Sequence, residues 1–371
     1  MMKFSLIRLL TISLLLSGCN SRTASTTAGS TRSTTSVPAK ALKPIGPKPD
    51  WAPQMHDEMA LVVERLGALS SKLIQTLPPA EARQQPTPTD AVMGIMKDYN
   101  ISIPMPKCDT TGKDIAGEGG TVIHVRIYTP KNAGNSNPVI VYYHGGGWVI
   151  ATIDVYNASA QSLCEQTGAV VVSVEYRKGP EAKFPAAHMD AFTAYEWVLK
   201  NAGSFKGDAS KVAVVGESAG GNLACNVSIR ARDKGIMIPV YQVLIYPVTQ
   251  NNMSTASYEK NAIAKPLNKP LMEWFAMQYL PSMEMSGDPR ISLVKANLKH
   301  LPPTTIITAE IDPLHDDGTM LADKLKSAGV NVNYINYDGV THEFFGMAAV
   351  VPEAKAAQSV AATDLKKAFN N

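Results

Sequence analysis

The sequence predicts an α/β fold: a mostly parallel sheet with helices on its flanks and a helical cap over one end. Three observations carry this. Seven short runs rich in Val, Ile, Thr and Tyr read as strands: "TVIHVRIYTP", "NPVIVYYHGGG", "GAVVVSVEY", "KVAVVGES", "VYQVLIYP", "PTTIITAEID" and "NVNYINYDG". Helical stretches fall between most of them, at 158–166, 186–199, 219–232 and 317–327, and strands that alternate with helices build parallel sheets. Between 250 and 301 no strand is evident, and "LNKPLMEWFAMQYL" has an amphipathic helical period. So long an excursion inside an α/β domain is a lid or cap rather than a bare loop.

At the N-terminus, Lys3 and Arg8 precede the apolar run "LLTISLLL" at 9–16, and Ser17, Gly18 and Cys19 follow. A positive start, a short apolar stretch and small residues describe a secretory signal, and the run is too short to span a bilayer. "LSGC" is similar to the lipobox of bacterial lipoproteins, in which cleavage leaves Cys19 as a lipid-bearing N-terminus. A plain signal peptide with Cys19 incidental is the alternative. Residues 1–18 are thus expected to be removed, and the membrane is a partner through lipid on Cys19. Asn20, in place of an Asp, points to the outer membrane among lipoproteins.

Residues 19–50 are expected to form a disordered tether. From 21 to 36, eleven of sixteen residues are Ser or Thr, and Pro38, Pro44, Pro47 and Pro49 follow. Such a stretch cannot bury a core. Roughly 30 flexible residues have an r.m.s. span of about 30 Å.

From 51 to 100 the pattern is helical. "HDEMALVVERLGALSSKLIQTL" places Met59, Val62, Val63, Leu66, Leu69 and Leu73 at spacings of three and four. This is a second candidate cap segment, and one domain is expected over 51–371. Of the 371 residues, 45% are hydrophobic and 18% charged, enough for one large core or two modest ones. Without Lys3 and Arg8 the chain holds 33 basic and 32 acidic residues, a net +1. With no basic run or aromatic-basic stripe, nucleic acid is excluded as a partner. Beyond Cys19, three cysteines remain, Cys108, Cys164 and Cys225, so at least one is a free thiol. Cys164 and Cys225 fall in apolar helical patterns, as buried free cysteines do. No CxxC or His-rich cluster suggests a structural metal.

The chemistry centres on Gly216-Glu217-Ser218-Ala219-Gly220, which follows an apolar strand and opens a helix. G-x-S-x-G in this setting is a nucleophile elbow, a strained turn that exposes the serine oxygen. Its glycines answer the close approach of the turning backbone. The helix that starts there aims N–H groups and the positive end of its dipole at the same spot. A second piece, His144-Gly145-Gly146-Gly147-Trp148, ends another strand. Three glycines let backbone amides approach a ligand, and in acyl transfer such donors hold the oxyanion at roughly 3–4 kcal/mol each. A phosphate-binding loop would instead need a Walker lysine or G-x-G-x-x-G, and neither follows. Trp148 is equally a residue that narrows the site or a core aromatic.

A Ser-His-acid triad also needs a histidine and a carboxylate. His342, in "GVTHEFFG", follows the last strand, and Asp312, in "TAEIDPLHDDG", follows the one before. The chain order Ser218, Asp312, His342 is the order that hydrolases built on such an elbow use. Glu310 competes with Asp312, while Asp316 and Asp317 read more simply as helix-start acids. Among the other histidines, His188 falls within a helix, His315 at a helix start, and His56, His124 and His300 away from the expected strand ends.

Together "HGGGW", "GESAGG", "VEYRKGPEAKFPAAHMDAF", "DPL" and "THEFFG" resemble the hormone-sensitive-lipase family of α/β-hydrolase esterases, over about residues 51–371. The resemblance implies the α/β-hydrolase fold, with a central, mostly parallel eight-stranded sheet, flanking helices and a helical cap. It places the triad on Ser218, Asp312 and His342 and the oxyanion donors on the amides of Gly146, Gly147 and Ala219. It implies a serine carboxylesterase with a small acyl-ester substrate and no metal or organic cofactor. An amidase, deacetylase or lactonase using the same triad is the alternative within hydrolases. A non-catalytic ligand-binding protein on the same fold is the alternative outside them, though such relatives lack the histidine. The chain departs from the family at Glu217, where Asp or Thr is usual, and at Lys178-Gly179, where Leu-Ala is usual. Those departures bear on local hydrogen bonding and cap contacts.

Overall fold

The computed structural model describes residues 41–70 and 72–370. The predicted signal segment, Cys19 and the tether up to residue 40 lie outside the described residues. Before the sheet come three helices, α1 (Asp57–Leu69), α2 (Pro79–Ala82) and α3 (Pro88–Asp98). The strands and helices that follow are β1 (Cys108–Ala116), β2 (Val122–Pro130), β3 (Asn137–Tyr143), α4 (Asn157–Thr167), β4 (Val170–Glu175), α5 (Ala186–Asn201), β5 (Gly207–Glu217), α6 (Ala219–Asp233) and β6 (Gln242–Ile245). Next come α7 (Ala256–Lys260), α8 (Lys269–Tyr279), β7 (Thr304–Ile311), α9 (His315–Ser327), β8 (Val332–Thr341) and α10 (Pro352–Phe369).

The sheet has eight strands in the order β1-β2-β4-β3-β5-β6-β7-β8. β1 pairs with β2 and β2 with β4 antiparallel, and every other pairing is parallel. The central strands are covered on both faces, and β6 is buried at every position, which explains their near-continuous apolar runs. β1 is the strand that the hydrophobic pattern does not show. At the sheet edge only Cys108 and Ile115 of its nine residues are buried, so "CDTTGKDIA" carries no alternation.

The last ten residues of the predicted tether are held to the domain instead. The Ile45 and Gly46 N–H groups donate to the Glu64 carboxylate at 2.9 and 3.1 Å, Lys48 pairs with Asp57, and Leu42 packs on the core. A backbone docked on a side-chain carboxylate leaves no signal in composition. The helical region 51–100 is three helices rather than one, because prolines at 78, 79, 86 and 88 interrupt it. α1 ends at Leu69, so Leu69 and Leu73 are exposed while Met59, Val62 and Val63 are buried. Cys108, Cys164 and Cys225 are all buried and free.

His144, Ser218, Asp312 and His342 are each the first residue after a strand: β3, β5, β7 and β8 respectively. Parallel strands end on one edge of the sheet, and that edge is where such folds place their sites. Two cap segments, 74–88 and 266–275, close over it.

Candidate active site

β5 runs into a sharp turn at Ser218, whose φ of +56° and ψ of −117° lie outside the ordinary regions. Such a conformation costs about 1–3 kcal/mol and persists only where the surroundings impose it. Here the Ser218 N–H donates to the Ile245 carbonyl of β6 at 2.8 Å, and its carbonyl accepts from Asn222 of α6. The two elbow glycines are required by each other and by β3. A Cβ on Gly216 would stand 2.0 Å from the Gly220 oxygen, and one on Gly220 2.0 Å from the Tyr143 oxygen.

Ser218, His342 and Asp312 form one hydrogen-bonded chain. Ser218 Oγ lies 2.9 Å from His342 Nε2, and His342 Nδ1 lies 2.6 Å from Asp312 Oδ2. Asp312 is fully buried and is oriented by the Leu314 N–H, which donates to its Oδ1 at 2.9 Å. Burial acts to lower the His342 pKa, but the Asp312 carboxylate, with Glu343 and Glu217 behind it, outweighs burial and raises it above the usual histidine value. Glu310, the rival acid, is turned elsewhere: it accepts from the Gly339 N–H and from Gln54. Asp316 and Asp317 accept from the segment that follows β6, at Ser257, Thr249 and Gln250.

The glycine loop after β3 lines the same cavity through Gly146 and Gly147. Gly146 has a φ of +95°, and a Cβ there would sit 2.4 Å from the Ile150 oxygen. Among the described residues the amides of Gly146, Gly147 and Ala219 donate to no protein acceptor, so all three are left for a ligand. His144 supports the loop from behind. It is buried, stacks on Tyr176 at 4.3 Å, and lies with Nδ1 2.8 Å from the Gly145 oxygen. Burial pushes its pKa down to about 4, which keeps the ring neutral. Trp148 is a core aromatic: it is buried and stacks on Tyr279 at 5.0 Å.

The two departures from the family pattern both have partners. Glu217 is fully buried and accepts from the hydroxyls of Tyr142 and Tyr246. Burial, with the Glu343 charge adding to it, pushes its pKa up to about 7. Lys178 Nζ donates to the Ala151 carbonyl and pairs with Glu175. At Gly179 a Cβ would meet the Gln278 carbonyl at 2.9 Å, so the missing side chain lets α8 approach.

The cavity has a volume of about 320 Å³. Ile150, Val155, Leu267, Leu271 and Phe275 give it an apolar wall, and Ser218, His342 and Glu343 stand in it. Three residues of the cavity wall are not legible in the sequence. Arg83 clamps the first cap segment to the glycine loop and its neighbours, donating to the carbonyls of Val149 and Gly179 and to Glu181. Tyr156 and Glu343 meet in the cavity wall, with the tyrosine hydroxyl donating to Glu343 Oε1 at 2.6 Å. They are 187 positions apart, and no local pattern links them.

A family model described as alpha/beta hydrolase fold matches residues 140–346. A carboxylesterase of Mycobacterium tuberculosis, NlhH, is 37% identical over 270 residues, covering 72% of this chain and 85% of that protein. An ethyl acetate hydrolase of Pseudomonas putida is 34% identical over 63% of this chain and 75% of its own. Among solved structures, the hyperthermophilic esterase of Pyrobaculum calidifontis superposes with a TM-score of 0.75 at 36% identity, covering 82% of this chain and 96% of that one.

Proposed function

The chain belongs to the hormone-sensitive-lipase family of α/β hydrolases and is a carboxylic ester hydrolase, and on that premise we propose that it cleaves short- to medium-chain acyl esters through Ser218, His342 and Asp312. The observation that carries this is the unbroken hydrogen-bonded run from Ser218 Oγ through His342 to Asp312, at 2.9 and 2.6 Å.

Ser218 Oγ attacks the ester carbonyl as its proton passes to His342 Nε2. Asp312, bonded to Nδ1, fixes the imidazole tautomer and stabilises the imidazolium. The developing oxyanion is met by the N–H groups of Gly146, Gly147 and Ala219, which spend no energy on reorganisation because no protein acceptor holds them. His342 then protonates the leaving alcohol, and the acyl group stays on Ser218. Water, deprotonated by His342, releases the acid and restores the serine.

Short chains follow from the cap. A cavity of about 320 Å³ lies at the lower end of ligand sites. An enclosed apolar wall gains roughly 0.8 kcal/mol per buried CH₂ until it is full. With p-nitrophenyl esters from C2 to C16, kcat/KM is expected to rise, peak between about C2 and C8, and fall. Ser218→Ala is expected to lose turnover on all of them. Activity that climbs to C16, or jumps at an emulsion interface, would mark a lipase instead. Retained turnover by Ser218→Ala would remove the nucleophile assignment.

The same reading places the enzyme in the cell envelope, anchored by lipid on Cys19 and directed to the outer membrane. The support is "LSGC" directly after the apolar run, with Asn20 behind it. Among the described residues no helix is long and apolar enough to cross a membrane.

A further inference from the structure

Glu343 stands in the cavity without a part in the reaction above. It follows His342 directly, yet both side chains reach the same space. Consecutive side chains of an extended strand point to opposite faces. The left-handed backbone at Glu343, with φ at +72°, breaks that alternation, and a residue with a side chain adopts it at a cost. Tyr156 fixes the carboxylate by donating to Oε1 at 2.6 Å. Among the described residues Tyr156 is its one donor, so Oε2 keeps its lone pairs for a ligand. The other charged groups of the wall, Arg83 and Lys178, are already bonded to carbonyls and to Glu181 and Glu175. Glu343 is therefore the charged group that a substrate meets unspent.

Its place relative to the chemistry is set by His342. Glu343 Oε1 lies 3.9 Å from Nε2. Nε2 gives its proton to the leaving oxygen, which must come within about 3 Å of it. A hydroxyl on the carbon adjacent to the one that bears that oxygen falls within reach of the carboxylate. We propose that Glu343 is a specificity-determining residue whose carboxylate accepts a hydrogen bond from a vicinal hydroxyl of the leaving alcohol, so that the preferred substrates are monoacyl esters of diols and polyols. The acyl chain takes the apolar wall of Leu267, Leu271 and Phe275, and the polar alcohol takes the Glu343 carboxylate. This rests on His342 serving as proton donor to the leaving group.

The test compares 2-hydroxyethyl butyrate with propyl butyrate, in which a methyl group replaces the hydroxyl. Acid release is followed for the wild type, Glu343→Gln and Glu343→Ala. The wild type is expected to favour the hydroxyl ester in kcat/KM by about tenfold or more, the range of a hydrogen bond to a charged group. Glu343→Ala is expected to bring the ratio close to one, and Glu343→Gln, which keeps the shape but loses the charge, to lower it. A wild-type ratio near one overturns the proposal whatever the variants do, and so does a large ratio that both variants keep. p-Nitrophenyl butyrate, whose leaving group carries no donor, separates this from the nucleophile assignment. Its turnover must depend on Ser218 in either case, and turnover surviving in Ser218→Ala would strike the triad rather than Glu343.

Discussion

The Tyr246 ring stands 4.4 Å from the imidazole of His342, and its hydroxyl donates to Glu217, the residue before Ser218. The histidine is thus backed by a buried carboxyl as well as held by Asp312. Tyr142 closes the other side of that carboxyl at 2.5 Å.

The acid is distinguished from its rival by substitution. Asp312→Asn is expected to lower kcat by about 10⁴-fold, since the wrong imidazole tautomer is then favoured. Glu310→Gln is expected to change kcat little, because Glu310 bonds to Gly339 and Gln54 and not to His342. Steady-state kinetics on p-nitrophenyl butyrate decide it: a Glu310→Gln loss that exceeds the Asp312→Asn loss reverses the assignment.

The pH profile should report the carboxylates around His342. The imidazole must be neutral to take the serine proton, so activity falls as pH drops through its pKa. Asp312, Glu343 and Glu217 raise that pKa against burial. The acid limb of kcat/KM is therefore expected above the unperturbed histidine value of about 6.5. Glu343→Gln removes one of the negative charges and should move the limb down. An unmoved or rising limb in that variant contradicts the electrostatic account.

Glu217 makes stability fall with pH. Its folded pKa of about 7 lies above the value of about 4.3 for a free glutamate, so the folded state holds the proton more tightly. That contribution is fully present below about pH 4 and is lost as pH rises through about 7. Glu217→Gln cannot ionise. Relative to this variant, the wild type should lose up to on the order of 3 kcal/mol between pH 4 and pH 9. Guanidinium unfolding of both proteins across that range measures the difference, and parallel curves would show that Glu217 does not ionise within it.

Cys19→Ser should leave the protein without lipid and out of the membrane pellet. A single acyl chain binds marginally, whereas the several chains of a lipoprotein anchor stably. Fractionation of cells expressing each form tests this. The same share of protein in the pellet for both would sink the lipidation proposal.

What the sequence determined alone was the order of the candidate site residues along the chain. Short-range signals carry it: Gly216 and Gly220 around Ser218, three glycines after His144, and Asp312 and His342 each just past a β-branched run. Backbone sterics and side-chain period are local, so these positions can be read without a fold, and so can the seven strands that their Val, Ile, Thr and Tyr content marks. The tertiary structure decided what depends on distant partners. β1 is a strand because β2 pairs with it, although its own residues are mostly exposed. Residues 41–50 are ordered by Glu64 rather than by any property of their own. The carboxylate of Asp312, and not that of Glu310, stands beside Nδ1 of His342. Glu343 enters the cavity through one left-handed residue and a tyrosine 187 positions away. A hydrogen bond across that separation depends on where the sheet brings its strand ends together, and that is a property of the packed chain.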